Sequence, residues 1–207
     1  MSALSPNGLI QATLMFSEKG EASYSVRYQG KEIIGESKLG LLVRDHYLTT
    51  GMTKLGHNTA TQKGSWKPVW GEVDEIQENY NSMTLELKDA VGLHMNIVFR
   101  VFDDGVGFRY EFPDGKDGLI IVLEELTAFQ MNEDMNAWWA PSDWDSNEHT
   151  YKNTKISAID ATSYLSDKEP FNQHIDDVRA VQTPVTMQSA SGACFSIAEA
   201  ALSDYGA

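Results

Sequence analysis

The stretch from His94 to Phe112 leaves this chain little choice of fold. Two runs of alternating apolar and polar side chains, His94-Met-Asn-Ile-Val-Phe-Arg-Val-Phe102 and Val106-Gly-Phe-Arg-Tyr-Glu-Phe112, flank Asp103-Asp-Gly105. Those turn residues tolerate the positive φ that a tight connection between antiparallel strands requires. Alternation with period two sends successive side chains to opposite faces of a strand. Val106, Phe108, Tyr110 and Phe112 therefore share one face, and Gly107, Arg109 and Glu111 share the other. A hairpin with one strongly apolar face needs a second sheet to cover it.

The same period recurs in Tyr24-Ser-Val-Arg-Tyr28, Leu39-Gly-Leu-Leu-Val43 and Met83-Thr-Leu-Glu-Leu87, and helical spacing is hard to find. Ile120 to Leu123 and Cys194 to Ala198 supply further apolar strands, with turn signals at Gln29-Gly30, Asp114-Gly-Lys-Asp-Gly118 and Ser191-Gly192. With 207 residues and 42% hydrophobic content the chain has enough material for one sizeable core. The expectation is an all-β single domain over 1–207, a large antiparallel β-sandwich of the supersandwich kind. Cys194, the single cysteine, has no disulfide partner and is expected as a small core residue.

Sixteen basic against thirty acidic residues, a formal net charge of -14, argue against a nucleic-acid partner, because binding phosphates needs clustered Lys and Arg. No run of about 18 apolar residues suggests a membrane span, and the first residues lack the basic and apolar regions of a secretory signal. The acidic surplus keeps a surface soluble and names no ligand.

Between Trp138 and about Asp177 the alternation lapses, and Trp, Asp, Asn, His and Glu crowd together. Long loops on rigid scaffolds are where sites tend to lie. Trp138, Trp139 and Trp144 offer flat faces for sugar rings, and Asn147 is a polar group to accompany them. Asp143, Asp145 and Glu148 have a spacing faintly like a calcium loop, without its glycine and terminal bidentate glutamate. Trp66 and Trp70, flanking Pro68, are expected to pack at a strand entrance. Glu124-Glu125 and Asp176-Asp177 are poor acid/base pairs, because strand neighbours point to opposite faces. The five histidines lack zinc-site spacing, and neither a hydrolase triad motif nor a glycine-rich phosphate loop is present.

Three segments carry a family resemblance: Ser65-Trp-Lys-Pro-Val-Trp-Gly-Glu72, the hairpin from Asn96 to Tyr110, and Trp138-Trp-Ala-Pro-Ser-Asp-Trp-Asp-Ser-Asn-Glu148. Together they resemble the amino-terminal domain of family 97 glycoside hydrolases, from about Leu4 to the last residue, with Thr183-Pro-Val-Thr186 and Glu199-Ala-Ala-Leu-Ser-Asp-Tyr205 similar to the strands leading out of that domain. The resemblance implies a β-supersandwich preceding a catalytic (β/α)8 barrel and a carboxy-terminal β-domain, neither of which is expected in this sequence. It further implies hydrolysis of α-glucosides or α-galactosides by barrel carboxylates, so no catalytic residue is expected here and the chain alone should be inactive. A calcium ion near the active site, completed by one amino-terminal glutamate, is also implied, and Glu148 best matches that ligand. The implied partners are the chain's own barrel and an oligosaccharide, in the periplasm or outside the cell. The alternatives are an independent carbohydrate-binding module and a structural interaction domain.

Overall fold

Every strand pairing among the described residues of this computed structural model is antiparallel. Those residues are 1–113, 120–143, 148–165, 175 and 177–200. The chain divides into two compact units, Met1–Asn132 and Glu133–Ala207.

In the first unit, β1 (Ser2–Leu4), β2 (Ile10–Phe16), β3 (Ala22–Tyr28) and β4 (Lys31–Leu39) form one sheet in chain order. The short strands β5 (Leu41–Val43) and β6 (His46–Leu48) follow. Then β7 (Thr53–Trp66), β8 (Ile76–Lys88), β9 (His94–Val101) and β10 (Val106–Glu111) build a second sheet, ordered β10-β9-β8-β7. A third, small sheet arises when β11 (Val122–Glu125) pairs with β5 beside β6.

The alternation explains how the first two sheets become a sandwich. Ala12, Leu14 and Tyr24 from one sheet and Met83, Leu85, Leu87, Ile97, Phe99 and Val101 from the other are buried in a single cluster. The Tyr24 ring lies 5.5 Å from both Phe99 and Phe108, which stack on each other at 5.0 Å. Each large side chain so buried contributes about 1.5–3 kcal/mol. The polar end of Tyr24 is satisfied as well, its hydroxyl donating to the Ala128 carbonyl at 2.9 Å.

The hairpin expected over 94–112 is present, with register from Val106↔Val101 to Glu111↔Asn96. Its Val106, Phe108, Tyr110 and Phe112 pack against the core, as the alternation predicts. Gln29 and Gly30, at φ 50° and 77°, close β3 onto β4 with Tyr28 opposite Lys31, a two-residue turn whose hand matches strand twist. Three expectations for this unit are adjusted. The run 39–43 is divided, β4 ending at Leu39 and β5 beginning at Leu41, and β11 starts at Val122 rather than Ile120. Trp66 and Trp70 do not pack: they are 50% and 88% exposed, because β7 is an edge strand exposed along nearly its whole length and the Pro68 connection carries them past the core. The turn expected at 114–118 lies outside the described residues.

The second unit holds β12 (Asn136–Trp139), β13 (Lys152–Lys155), two 3-10 turns at Ile156–Ala158 and Ala161–Tyr164, β14 (Val185–Gln188) and β15 (Cys194–Ile197). Its sheet order is β13-β12-β14-β15, and its interior is made by Met135, Ala137, Trp139, Ala140, Ala161 and Met187. Cys194 is exposed rather than a core residue, because the alternation of β15 turns Phe195 and Ile197 inward instead. Among the described residues no helix is long and apolar enough to cross a membrane.

Candidate functional site

β12 is a central strand, with Trp138 opposite Asn153 on one side and Thr186 on the other. Adjacent residues of a strand face opposite ways, so Trp138 and Trp139 cannot form one flat surface. Trp139 is 1% exposed and its indole N–H donates to Thr154 Oγ1 at 2.9 Å, whereas Trp138 is 38% exposed. Of the two, Trp138 alone offers a ring to a ligand. Trp144 and Asn147 lie outside the described residues.

Beyond β12 the chain carries Asp143, whose side chain is fully buried. Its Oδ2 lies 2.8 Å from His149 Nε2, the geometry of an imidazole N–H donating to a carboxylate. His149 also packs against Tyr164. The two rings are 5.3 Å apart at 72°, and Tyr164 is 5.6 Å from Trp139 at 73°. The Tyr164 hydroxyl donates to the Thr150 carbonyl at 2.5 Å, and the Lys152 ammonium sits 3.9 Å from the Tyr164 ring centroid. Burial outweighs the hydrogen bonding at the Tyr164 phenol and raises its pKa.

Glu148, the residue before His149, is exposed. A carboxylate oxygen is a ligand type that suits calcium, a hard cation taking six to eight oxygens. Among the described residues no group of three or more His, Cys, Asp and Glu side chains converges as a metal site. Glu148 supplies one exposed carboxylate of that type. The Asp143–His149 pair is the feature that sequence patterns missed. The spacing carries no motif, and burial of an Asp in a polar, irregular stretch has no sequence signature.

The architecture and the tryptophan-rich excursion bear on kinship. A family model described as Glycosyl-hydrolase 97 N-terminal matches residues 4–207, and the chain belongs to this family of amino-terminal domains. Among solved structures, a glycoside hydrolase family 97 enzyme in complex with acarbose, from Pseudoalteromonas sp. strain K8, is 29% identical. Its TM-score is 0.81 over 100% of this chain and 29% of that one. A β-arabinopyranosidase at 22% identity and TM-score 0.73, matched over 91% of this chain and 29% of its own, shares the fold. A protein named probable retaining alpha-galactosidase, from Streptomyces bingchenggensis (strain BCW-1), is 25% identical over 119 residues, 58% of this chain and 18% of that protein. The chain thus spans less than a third of the length of these relatives.

Proposed function

We propose that this chain is the accessory amino-terminal domain of a calcium-dependent α-glycosidase acting on α-glucosides or α-galactosides, in the periplasm or outside the cell. It packs on a catalytic barrel, forms one wall of the substrate pocket and lends the Glu148 carboxylate to a calcium ion. The family match over residues 4–207 carries this reading. Solved family 97 relatives were captured with acarbose and with panose, both oligosaccharide ligands, and the curated relative is named as an alpha-galactosidase.

Two features of the chain support it. The connection between β7 and β8 leaves Val69 99%, Trp70 88% and Trp66 50% exposed, apolar surface of the kind a neighbouring domain covers. Glu148 is exposed and precedes His149, whose imidazole is paired with Asp143, and a carboxylate oxygen is a ligand type that calcium takes. Bound calcium would supply fixed positive charge beside the pocket. The chain's own part is to hold one oxygen ligand and to exclude water along one wall.

The test is to assay hydrolysis and binding of maltooligosaccharides and α-galactosides by residues 1–207 alone and by the same residues expressed with a family 97 catalytic barrel. The isolated chain should neither hydrolyse nor bind them measurably, and the larger protein should do both. Binding by the isolated chain would instead make it an independent carbohydrate-binding module.

A further inference from the structure

We propose that β7 is a self-complementary edge through which two copies of this chain join into one continuous sheet, with Ala60 on the two-fold axis. The strand runs for 14 residues at the end of its sheet, and among the described residues it pairs with β8 alone. Every position but Gly56 is exposed, so side chains on both of its faces remain open. An edge of this kind presents unpaired backbone N–H and C=O groups to any strand that can reach them, and proteins blunt such edges with short strands, proline, bulges or charge. β7 has one bulge, between Lys54 and Gly56, and beyond it the register with β8 is unbroken from Gly56↔Glu86 to Trp66↔Ile76. The opposite edge of the sheet, β10, has only six residues and is mostly half-buried.

The sequence of the strand selects a second copy as its partner. Gly56-His-Asn-Thr-Ala-Thr-Gln-Lys-Gly64 reads nearly the same in both directions. Laid antiparallel on itself about Ala60, it sets Thr59 opposite Thr61 of the second copy, Asn58 opposite Gln62, His57 opposite Lys63 and Gly56 opposite Gly64, each pairing made twice by the symmetry. Moving the axis to Thr59 or Thr61 puts Asn58 opposite Ala60 or Gly64 and dissolves the like pairs. Thr61 already donates its hydroxyl to Asn81 at 2.7 Å, so it is set to accept from Thr59 across the axis. The Asn58 and Gln62 amides each offer a donor and an acceptor to the other. Nine residues paired in this way make on the order of nine backbone hydrogen bonds, close to the number in a specific interface. Charge points to the same edge: a chain of net charge -14 repels its own copies, yet none of its thirty acidic residues lies in 53–66.

The experiment is sedimentation equilibrium at micromolar concentration, on residues 1–207 and on the same residues expressed with a family 97 catalytic barrel. Both should sediment at twice the mass of one copy. Asn58→Glu combined with Gln62→Glu sets two pairs of like charges across the axis and should weaken the dimer about tenfold. Asn58→Lys combined with Gln62→Glu sets opposite charges at the same places and should keep the dimer within about threefold of the unaltered protein. The axis has its own readout, in a Cys194→Ser background treated with diamide. Ala60→Cys should cross-link the two copies, because Cα atoms directly opposite lie about 4.5–5.5 Å apart, within reach of a disulfide. Gln62→Cys should not, being about 13 Å from its own copy. The cross-links decide the matter if a charged variant fails to fold. One-copy mass in both proteins overturns the proposal, and so does a dimer that both charge combinations leave equally strong. A dimer of residues 1–207 that is lost with the barrel present gives the edge to the barrel instead, and equal cross-linking at Gln62 overturns the register.

Discussion

The Tyr110 hydroxyl accepts the Gly40 N–H at 2.9 Å, joining the outer strand of one sheet to the break between β4 and β5, 70 residues earlier in the chain. The same oxygen lies 2.7 Å from Thr127 Oγ1, which donates onward to Glu125, so Tyr110 must donate to Thr127. Tyr110→Phe leaves the buried Gly40 amide without its acceptor and should destabilise the protein by about 1–2 kcal/mol, read as a lower urea midpoint. Burial is the leading cause that pushes the Tyr110 phenol up to about 12, against the opposing hydrogen bonds of Thr127 and Gly40. A folded-state value above the unfolded one means a stabilising contribution fully present below about pH 10 and lost as pH rises towards 12. Phenolate absorbance should show Tyr110 titrating in that window, and an ordinary tyrosine titration would contradict the packing described.

Asp89 closes the turn between β8 and β9. Its Oδ1 accepts the N–H groups of Val91, Gly92 and Leu93 at 3.0, 2.6 and 2.7 Å, while its Oδ2 lies 2.5 Å from His46 Nδ1. Burial opposes ionisation, but the imidazole and the three amides together outweigh it and hold the carboxyl below its ordinary value. With the folded-state value depressed, the stabilisation is complete above the unfolded pKa of about 4 and is lost as pH falls through the lower folded value. Asp89→Ala should cost about 3 kcal/mol near neutral pH and flatten the acid limb of the stability curve. Asp89→Asn, which keeps the Oδ1 acceptor, should cost less than half as much. Equal losses in the two variants would mean that the amide cluster is not what the side chain serves.

Gly20 combines two constraints, a φ of 74° and a backbone so near that an added Cβ would lie 2.4 Å from Met52 N. Gly30, at φ 77°, has nothing within 4 Å of that position. Left-handed strain alone costs about 1 kcal/mol, and a clash with rigid backbone adds a comparable or larger amount. Gly20→Ala should therefore lower stability by about 3 kcal/mol and Gly30→Ala by about 1 kcal/mol in parallel denaturant melts. Similar melts for the two would show that the segment at Met52 yields.

The sequence displays whatever has a period. The hairpin at 94–112 and the inward faces of β3, β8 and β10 could be placed because alternation fixes the face of each residue once one side is buried. Cys194 is apolar by type, but it shares its face of β15 with Ser196, and the alternation puts Phe195 and Ile197 inward, so residue type alone misplaces it. Trp66 and Trp70 look like core residues by type, but whether an aromatic packs depends on which strand lies at the sheet edge, and strand order is not encoded locally. The resemblance names Glu148 as a ligand, whereas the pairing of Asp143 with His149 is legible only in the fold, because a fold-dependent contact in an irregular stretch leaves no spacing rule behind.

Trp138 and Trp139 give the last test, since neighbours of the same type on one strand have opposite fates. Trp139 is 1% exposed against Tyr164 with its N–H satisfied, so Trp139→Ala should cost about 3–5 kcal/mol through the cavity it leaves. Trp138, at 38% exposed, loses far less packing, and Trp138→Ala should shift stability by less than about 1 kcal/mol. If the exposed ring stacks on a sugar, a contact worth about 1 kcal/mol, then Trp138→Ala in the barrel-containing protein should raise KM for an α-linked oligosaccharide about fivefold. The thermal midpoint should barely move. An unchanged KM would take Trp138 out of the substrate wall, and a large loss of stability would show that its ring is covered by a surface other than solvent.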